Sequence, residues 1–315
     1  MEGRKRSAAI KAVHQKSLAK RMYEHKTLYL FLLPAVALVV VFNYQPMYGA
    51  VLAFKDFKYN LGILGSPWIG VKYFERFLAS SEFWNTVRNT VVISALKILF
   101  CFPAPILLAL LLNELKLLKY KRFVQTVSYL PHFVSWVVVV SIMMVIFTPY
   151  GGIINNLRKS MGLEAIFYMG EKTMFYPLIV SSEIWKGVGW GSILYLSSIA
   201  GINPELHEAA ICDGAGRLKC VWYVTLPCIK FIIGFQFIMS VSGLLGTNFD
   251  QLLLMQQPSN LELSEVIDTY VLAKGLKQGQ FGLATAIGLF RTVISFALLL
   301  SANFFSKKAF DISIF

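Results

Sequence analysis

The residues from Asn203 to Pro227 form a polar, small-residue insert between two long apolar runs, and their types suit gripping another surface rather than catalysis. Asn203 is a good N-cap and Pro204 takes the first helical position. Glu205 and Glu208 fall in the first turns, where carboxylates suit the positive end of a helix. Ala209 and Ala210 sit at its centre, where small side chains let a second protein approach the backbone closely. Gly214 and Gly216 are both expected to end the helix, since each permits a left-handed C-terminal cap. The segment 203–216 therefore reads as a helix of about three turns.

A second group of reactive side chains lies inside the apolar runs: Lys97, Glu183, Lys186 and Arg291. A charge at the centre of a bilayer costs about 2.5–3.5 kcal/mol even on the mildest scale, so these groups face protein or water. Glu183 and Lys186 are three apart, on one helical face, and are expected to pair. The run 229–255 is richest in polar groups, with Gln236, Ser240, Ser242, Asn248, Asp250 and Gln251. Gly243, Gly246 and Asn248 interrupt its outer half, and irregular backbone at membrane depth lines cavities. Asp250 and Gln251 would stand near the outer mouth, where carboxylate and amide both bond sugar hydroxyls. Gly187, Gly189 and Gly191 around Trp190 mark a second soft point. Trp185, Trp190 and Tyr195 could stack on sugar faces, with core packing the competing role. For the polar residues, an interhelical hydrogen bond or ion pair competes evenly with pore lining.

Other chemistries lack their residues. His14, His25, His132 and His207 are scattered, with no Asp-x-Asp or His-x-x-x-His pair of the kind a membrane-embedded glycolipid-modifying enzyme needs. No Gly-x-x-x-x-Gly-Lys-Ser/Thr loop is present, so ATP hydrolysis would belong to another chain. Cys101, Cys212, Cys220 and Cys228 fit neither a zinc site nor a redox pair and read as reduced thiols. No catalytic, cofactor-binding or metal-ligating residue is assigned.

The elements that must position these residues are membrane helices. The chain has 315 residues, 56% of them hydrophobic and only 15% charged, with a mean hydropathy of +0.60. Soluble domains are less apolar and more charged. Six stretches are long and apolar enough to span a bilayer, roughly 28–52, 85–112, 124–147, 174–200, 229–255 and 280–305. Pro34, Pro103, Pro105 and Pro177 fall in or near them, where kinks are tolerable. With the N-terminus inside, the inner segments hold sixteen basic residues and the outer ones nine, although the outer ones are the longer in total. The bias places both termini and the 203–216 helix in the cytosol. It also explains the net charge of +13 better than nucleic acid does. Residues 1–27 carry eight basic residues, and Ala8 to Arg21 reads as an amphipathic helix on an anionic leaflet. Outer loop 53–84 has turn signals at Asn60-Leu61-Gly62 and Gly65-Ser66-Pro67 and is too short for a domain. The expectation is an all-α, polytopic membrane domain over 28–308, with a cytosolic tail at 309–315.

Glu208-Ala209-Ala210, Gly214, Val224 and Leu226-Pro227, at their spacing, resemble the EAA signature of ABC importer permeases. Val224 stands where the family usually has Ile. Further stretches resemble type I carbohydrate permeases of the MalF and LplB kind. They are Leu33-Pro34, Tyr44 to Gly49, Arg88-Asn89-Thr90, Phe102 to Pro105 with Leu112-Asn113-Glu114, Trp185 to Gly191, Phe249-Asp250-Gln251 and Asp268 to Val271. A proline often follows Leu226-Pro227 in that family; Lys230-Phe231 stand here, which leaves the start of span five open. The resemblance implies that Glu208, Ala209, Ala210, Asp213, Gly214, Leu226 and Pro227 couple this chain to an ATPase. It also implies a second, different permease, two copies of a cytosolic ATPase that hold the ATP and Mg, and an extracytoplasmic binding lipoprotein. The cargo implied is oligosaccharide, often complex or uronate-containing. An ion-gradient-driven secondary transporter is the alternative, and it would need no coupling helix.

Overall fold

The computed structural model describes residues 23–243, 246 and 249–310. The segment Ala8–Arg21 and Asn248 lie outside them. The described chain is helical, and its β pairing is the single bridge between Lys55 and Trp68.

Helix α1 covers Lys26–Phe54, α2 Ser81–Glu114 and the last helix, α11, Phe281–Phe310. These three are each long and apolar enough to cross a membrane, and two bent helix pairs raise the number to five. The first pair is α3 (Leu118–Phe133) and α4 (Trp136–Phe147), which meet at 102°. The expected straight span 124–147 is therefore broken. Pro131 closes α3 in a 3-10 turn, and the Ser135 side chain caps α4 by accepting from Val138 N–H. Helix α5, Lys172–Ala200, has 29 residues, roughly 44 Å of rise, but is not among the helices apolar enough to count as a span, so the expected crossing 174–200 has the length without the hydropathy. Glu183 and Lys186 at its middle lower its hydropathy, and it packs along α2 and α3 at the heart of the molecule.

The polar insert forms α6 (Pro204–Cys212). Then α7 (Arg217–Cys228) and α8 (Lys230–Ser242) make the second bent pair, at 66°. The helix of span five thus begins at Arg217 and turns at Ile229, rather than starting at 229. After Ser242 the α-helix stops, and α9 begins at Phe249 and runs to Met255. Within the expected run 229–255, one α-helix ends at Ser242 and another begins at Phe249. Helix α10, Ile267–Leu272, then leads by a π-turn at Ala273–Lys277 towards α11.

Three buried clusters hold the helices together. One joins Ile93 of α2, Val139, Val140 and Met143 of α4, Phe175, Leu178 and Ile179 of α5, and Leu252 and Met255 of α9. A second packs Phe77 and Phe83 against Ile267, Tyr270 and Ile287. The third, towards the α6 end, holds Ala109, Tyr195, Ile199 and Ile229. In loop 53–84 the turn residues behave as expected: Gly62 is left-handed (φ 64°), and Lys55 Nζ donates to the carbonyls of Ile63 and Leu64.

Candidate functional site

The insert builds a short helix capped at both ends. Asn203 caps it by accepting from Glu205 N–H at 3.1 Å. At the other end Gly214 has φ 80°, Ala215 N–H donates to Ala210 C=O and Gly214 N–H to Ile211 C=O. This pair of bonds is a Schellman cap, which needs the left-handed residue that glycine supplies. Gly216 does not share the role: its φ of −73° makes it the N-cap of α7. The helix is accordingly nine residues long, shorter than three turns. Glu208, Ala209 and Asp213 are exposed and Ala210 partly so; Pro227 is exposed and Leu226 packs on the third cluster. His207 Nε2 lies 3.1 Å from Thr225 Oγ1 and ties α6 to α7. Nothing in the spacing of the two residues announces that contact. Leu206, Ile211, Leu218, Trp222 and Tyr223 remain exposed around this helix, and exposed apolar side chains grouped this way suit a partner or lipid surface.

At mid-depth the charges are locked between helices. Lys97 Nζ stands 3.2 Å from Glu183 Oε2 and 2.8 Å from Gln251 Oε1. Gln251, fully buried, donates to Ile179 C=O and Ser182 Oγ, both at 2.9 Å. One network therefore joins α2, α5 and α9. Lys97 also opens a π-turn, Lys97–Cys101, ahead of Pro103. The expected pairing of Glu183 with Lys186 gives way to these cross-helix partners. Lys186 Nζ instead donates to His132 C=O at 2.7 Å and lies over the Trp136 ring, filling the acceptor that the α3–α4 bend exposes. Arg291 pairs with Asp268 of α10.

Of the substrate-path candidates, Asp250 and Ser240 are exposed and Gln236 is partly so. Trp190, 48% exposed, stacks flat on His132 at 4.6 Å. Tyr195 is buried in the third cluster, a packing role. The glycines around Trp190 are not a soft point, because α5 runs through them unbroken. A Cβ on Gly189 would lie 2.0 Å from Ser128 O, and one on Gly191 2.9 Å from Pro105. They let α5 press on α3 and α2. Among the described residues no group of three or more His, Cys, Asp or Glu is placed to hold a metal.

Known proteins share this arrangement. The chain is 43% identical over 294 residues to the polygalacturonan/rhamnogalacturonan transport system permease protein YteP of Bacillus subtilis, covering 93% of this chain and 92% of that protein. Protein LplB of the same organism is 43% identical over 283 residues, 90% of this chain and 89% of that one. Among solved structures, a chain of a bacterial ABC transporter involved in importing the acidic polysaccharide alginate superposes with a TM-score of 0.87 at 36% identity. It covers 93% of this chain and 99% of that one. A second structure, of the alginate transporter in complex with alginate pentasaccharide-bound periplasmic protein, gives 0.88 at 35% identity, covering 95% and 100%. Residues 101–311 match the family described as binding-protein-dependent transport system inner membrane component. Broken spans, a capped helix between two of them and near full-length relatives agree: the chain belongs to this family, the membrane-embedded, non-enzymatic permease subunits of ABC importers.

Proposed function

We propose that the chain is a permease subunit of an importer for acidic oligosaccharides, driven by a separate ATPase that docks on α6. The observation carrying the cargo class is likeness over nine-tenths of the chain to permeases of polygalacturonan and alginate systems. The α6 reading rests on the exposed Glu208, Ala209 and Asp213 beside a left-handed Gly214. A second, different permease and two ATPase copies complete the assembly, with ATP and Mg on the ATPase and no cofactor on this chain. An extracytoplasmic binding protein delivers the sugar. The most apolar window of α1 has none of its residues buried within the chain, which supports coverage by a partner permease and by lipid. The excess of basic residues at the α6 end supports a bacterial cell membrane location with both termini cytosolic. ATPase closure draws the coupling helices together and tilts the spans from inward-open to outward-open. Asp250, Ser240, Gln236 and Trp190 remain the groups for the sugar path, with Asn248 beside them in sequence.

The test is uptake of labelled oligogalacturonate by the whole complex in proteoliposomes. Uptake is expected to require ATP and the binding protein and to survive ionophores. Gly214→Val places a β-branched residue at a left-handed φ, about 1–2 kcal/mol of strain, and is expected to reduce both uptake and co-purification of the ATPase. Gradient-driven uptake without ATP, or full uptake by the variant, would contradict the reading.

A further inference from the structure

Arg291 lies ten residues into α11, and its Nη1 donates to the Asp268 carboxylate. The pair is not sealed: the side chains keep 32% and 16% exposure. An open, largely apolar groove of about 470 Å³ lies beside it, lined by Phe249, Val271, Leu272, Leu276 and Phe281, with Asp268, Thr285 and Arg291 as its polar groups. That volume falls in the range of small-molecule sites. Gly246, between α8 and α9 in sequence, lets the guanidinium come close: a Cβ there would stand 2.7 Å from Nη2. A guanidinium at membrane depth avoids lipid. The guanidinium end of the groove therefore faces protein or an aqueous path.

Among the described residues, Asp268 is the hydrogen-bond partner of this guanidinium. Arginine carries five donors in a planar fork, so donors remain for a second acceptor. The fork matches a carboxylate in two parallel charge-assisted bonds, stronger than the neutral bonds that hydroxyls offer. Phe249 and Phe281 supply apolar surface for a sugar ring. We propose that Arg291 reads the carboxylate of a uronate unit in this groove, and that Asp268 is an internal stand-in which the incoming carboxylate displaces. The proposal rests on the acidic-oligosaccharide reading above and adds a residue-level basis for selectivity. Asp268 keeps Arg291 neutralised while the path is empty, which avoids an uncompensated charge at depth.

The test is calorimetric binding of trigalacturonate to the purified whole complex, without binding protein, in phosphatidylcholine nanodiscs so that no anionic lipid competes. Asp268→Asn removes the competitor and keeps a hydrogen-bonding side chain; it is expected to tighten binding several-fold. Asp268→Asn with Arg291→Gln leaves a neutral pair that can fold, and is expected to bind at least tenfold more weakly than Asp268→Asn alone. The methyl ester of trigalacturonate should not distinguish the two variants. Equal trigalacturonate binding by both variants, or no binding by wild type and Asp268→Asn, overturns the proposal. ATP-driven uptake of trigalacturonate by the wild type is scored separately. Uptake with variant-independent binding sinks only the role of Arg291, whereas Arg291-dependent binding without uptake sinks the importer reading and leaves the carboxylate site standing.

Discussion

Replacing Lys97 by methionine probes the lock among α2, α5 and α9 most sharply. The substitution keeps the volume and removes the charge that holds Glu183 at 3.2 Å and Gln251 at 2.8 Å. The two charged side chains are only 11% and 21% exposed, so solvent does little to replace the lost partner. Removing one member of a buried pair costs about 3–5 kcal/mol, and a hydrogen bond to a charged group is worth about 1.5–3 kcal/mol. Taking the low end of the first range, about 3 kcal/mol, the folded-to-unfolded ratio falls roughly 100-fold. Glu183→Gln alone should cost a similar amount, because it leaves the ammonium with Gln251 but without its counter-charge. The double variant replaces the pair by neutral groups of like volume, and such replacements are often nearly neutral. The assay is a double-mutant cycle by SDS-induced unfolding of the complex in bicelles. A coupling of about 2 kcal/mol or more is expected; additivity within about 0.5 kcal/mol would mean the groups act independently and would refute the reasoning.

Two further outcomes follow from single positions. Gly189→Ala puts a methyl group 2.0 Å from a backbone oxygen of α3 and should lower the thermal midpoint by an overpacking cost of about 1–3 kcal/mol. Gly187→Ala, with nothing within 4 Å, should be neutral or mildly stabilising; equal behaviour of the two would refute the close approach of α5 to α3. Burial, then the Glu82 charge, hold the Glu265 carboxyl above its ordinary value, with Lys274 opposing. The folded protein thus binds that proton more tightly than the unfolded chain does. The stability it contributes is complete below the usual carboxylate pKa of about 4.3 and is lost as pH rises through the raised value. Glu265→Gln should flatten this part of a stability-against-pH curve, and an unchanged slope would argue against it.

The polar insert was legible because each end carries its own local signal: Asn203 and Pro204 at the start, Gly214 in the left-handed cap. Gly216 misled, since a second glycine two residues on is equally able to begin the next helix. The end of α8 at Ser242 was also readable, from Gly243 in an apolar run. The 102° bend between α3 and α4 was not, because Val134 to Val140 continue the hydrophobic signal across it; Pro131 and the Ser135 cap were the only markers. Pairings between helices escaped as well. Spacing along α5 puts Glu183 near Lys186, but only tertiary packing brings Glu183 and Gln251 to Lys97, His132 to Lys186 and Asp268 to Arg291. The glycines at 189 and 191 look flexible in sequence and prove to be contact surfaces, because their missing Cβ atoms are filled by neighbours.

The central claim is that α6 is a cytosolic lever held by a motor protein. The most direct measurement is labelling of the exposed Cys212 with a membrane-impermeant maleimide, after the other three cysteines are replaced by serine or alanine. Labelling is expected in inside-out vesicles only, and bound ATPase should protect the thiol. Labelling from the outside of intact cells, or no protection by the ATPase, would contradict the account.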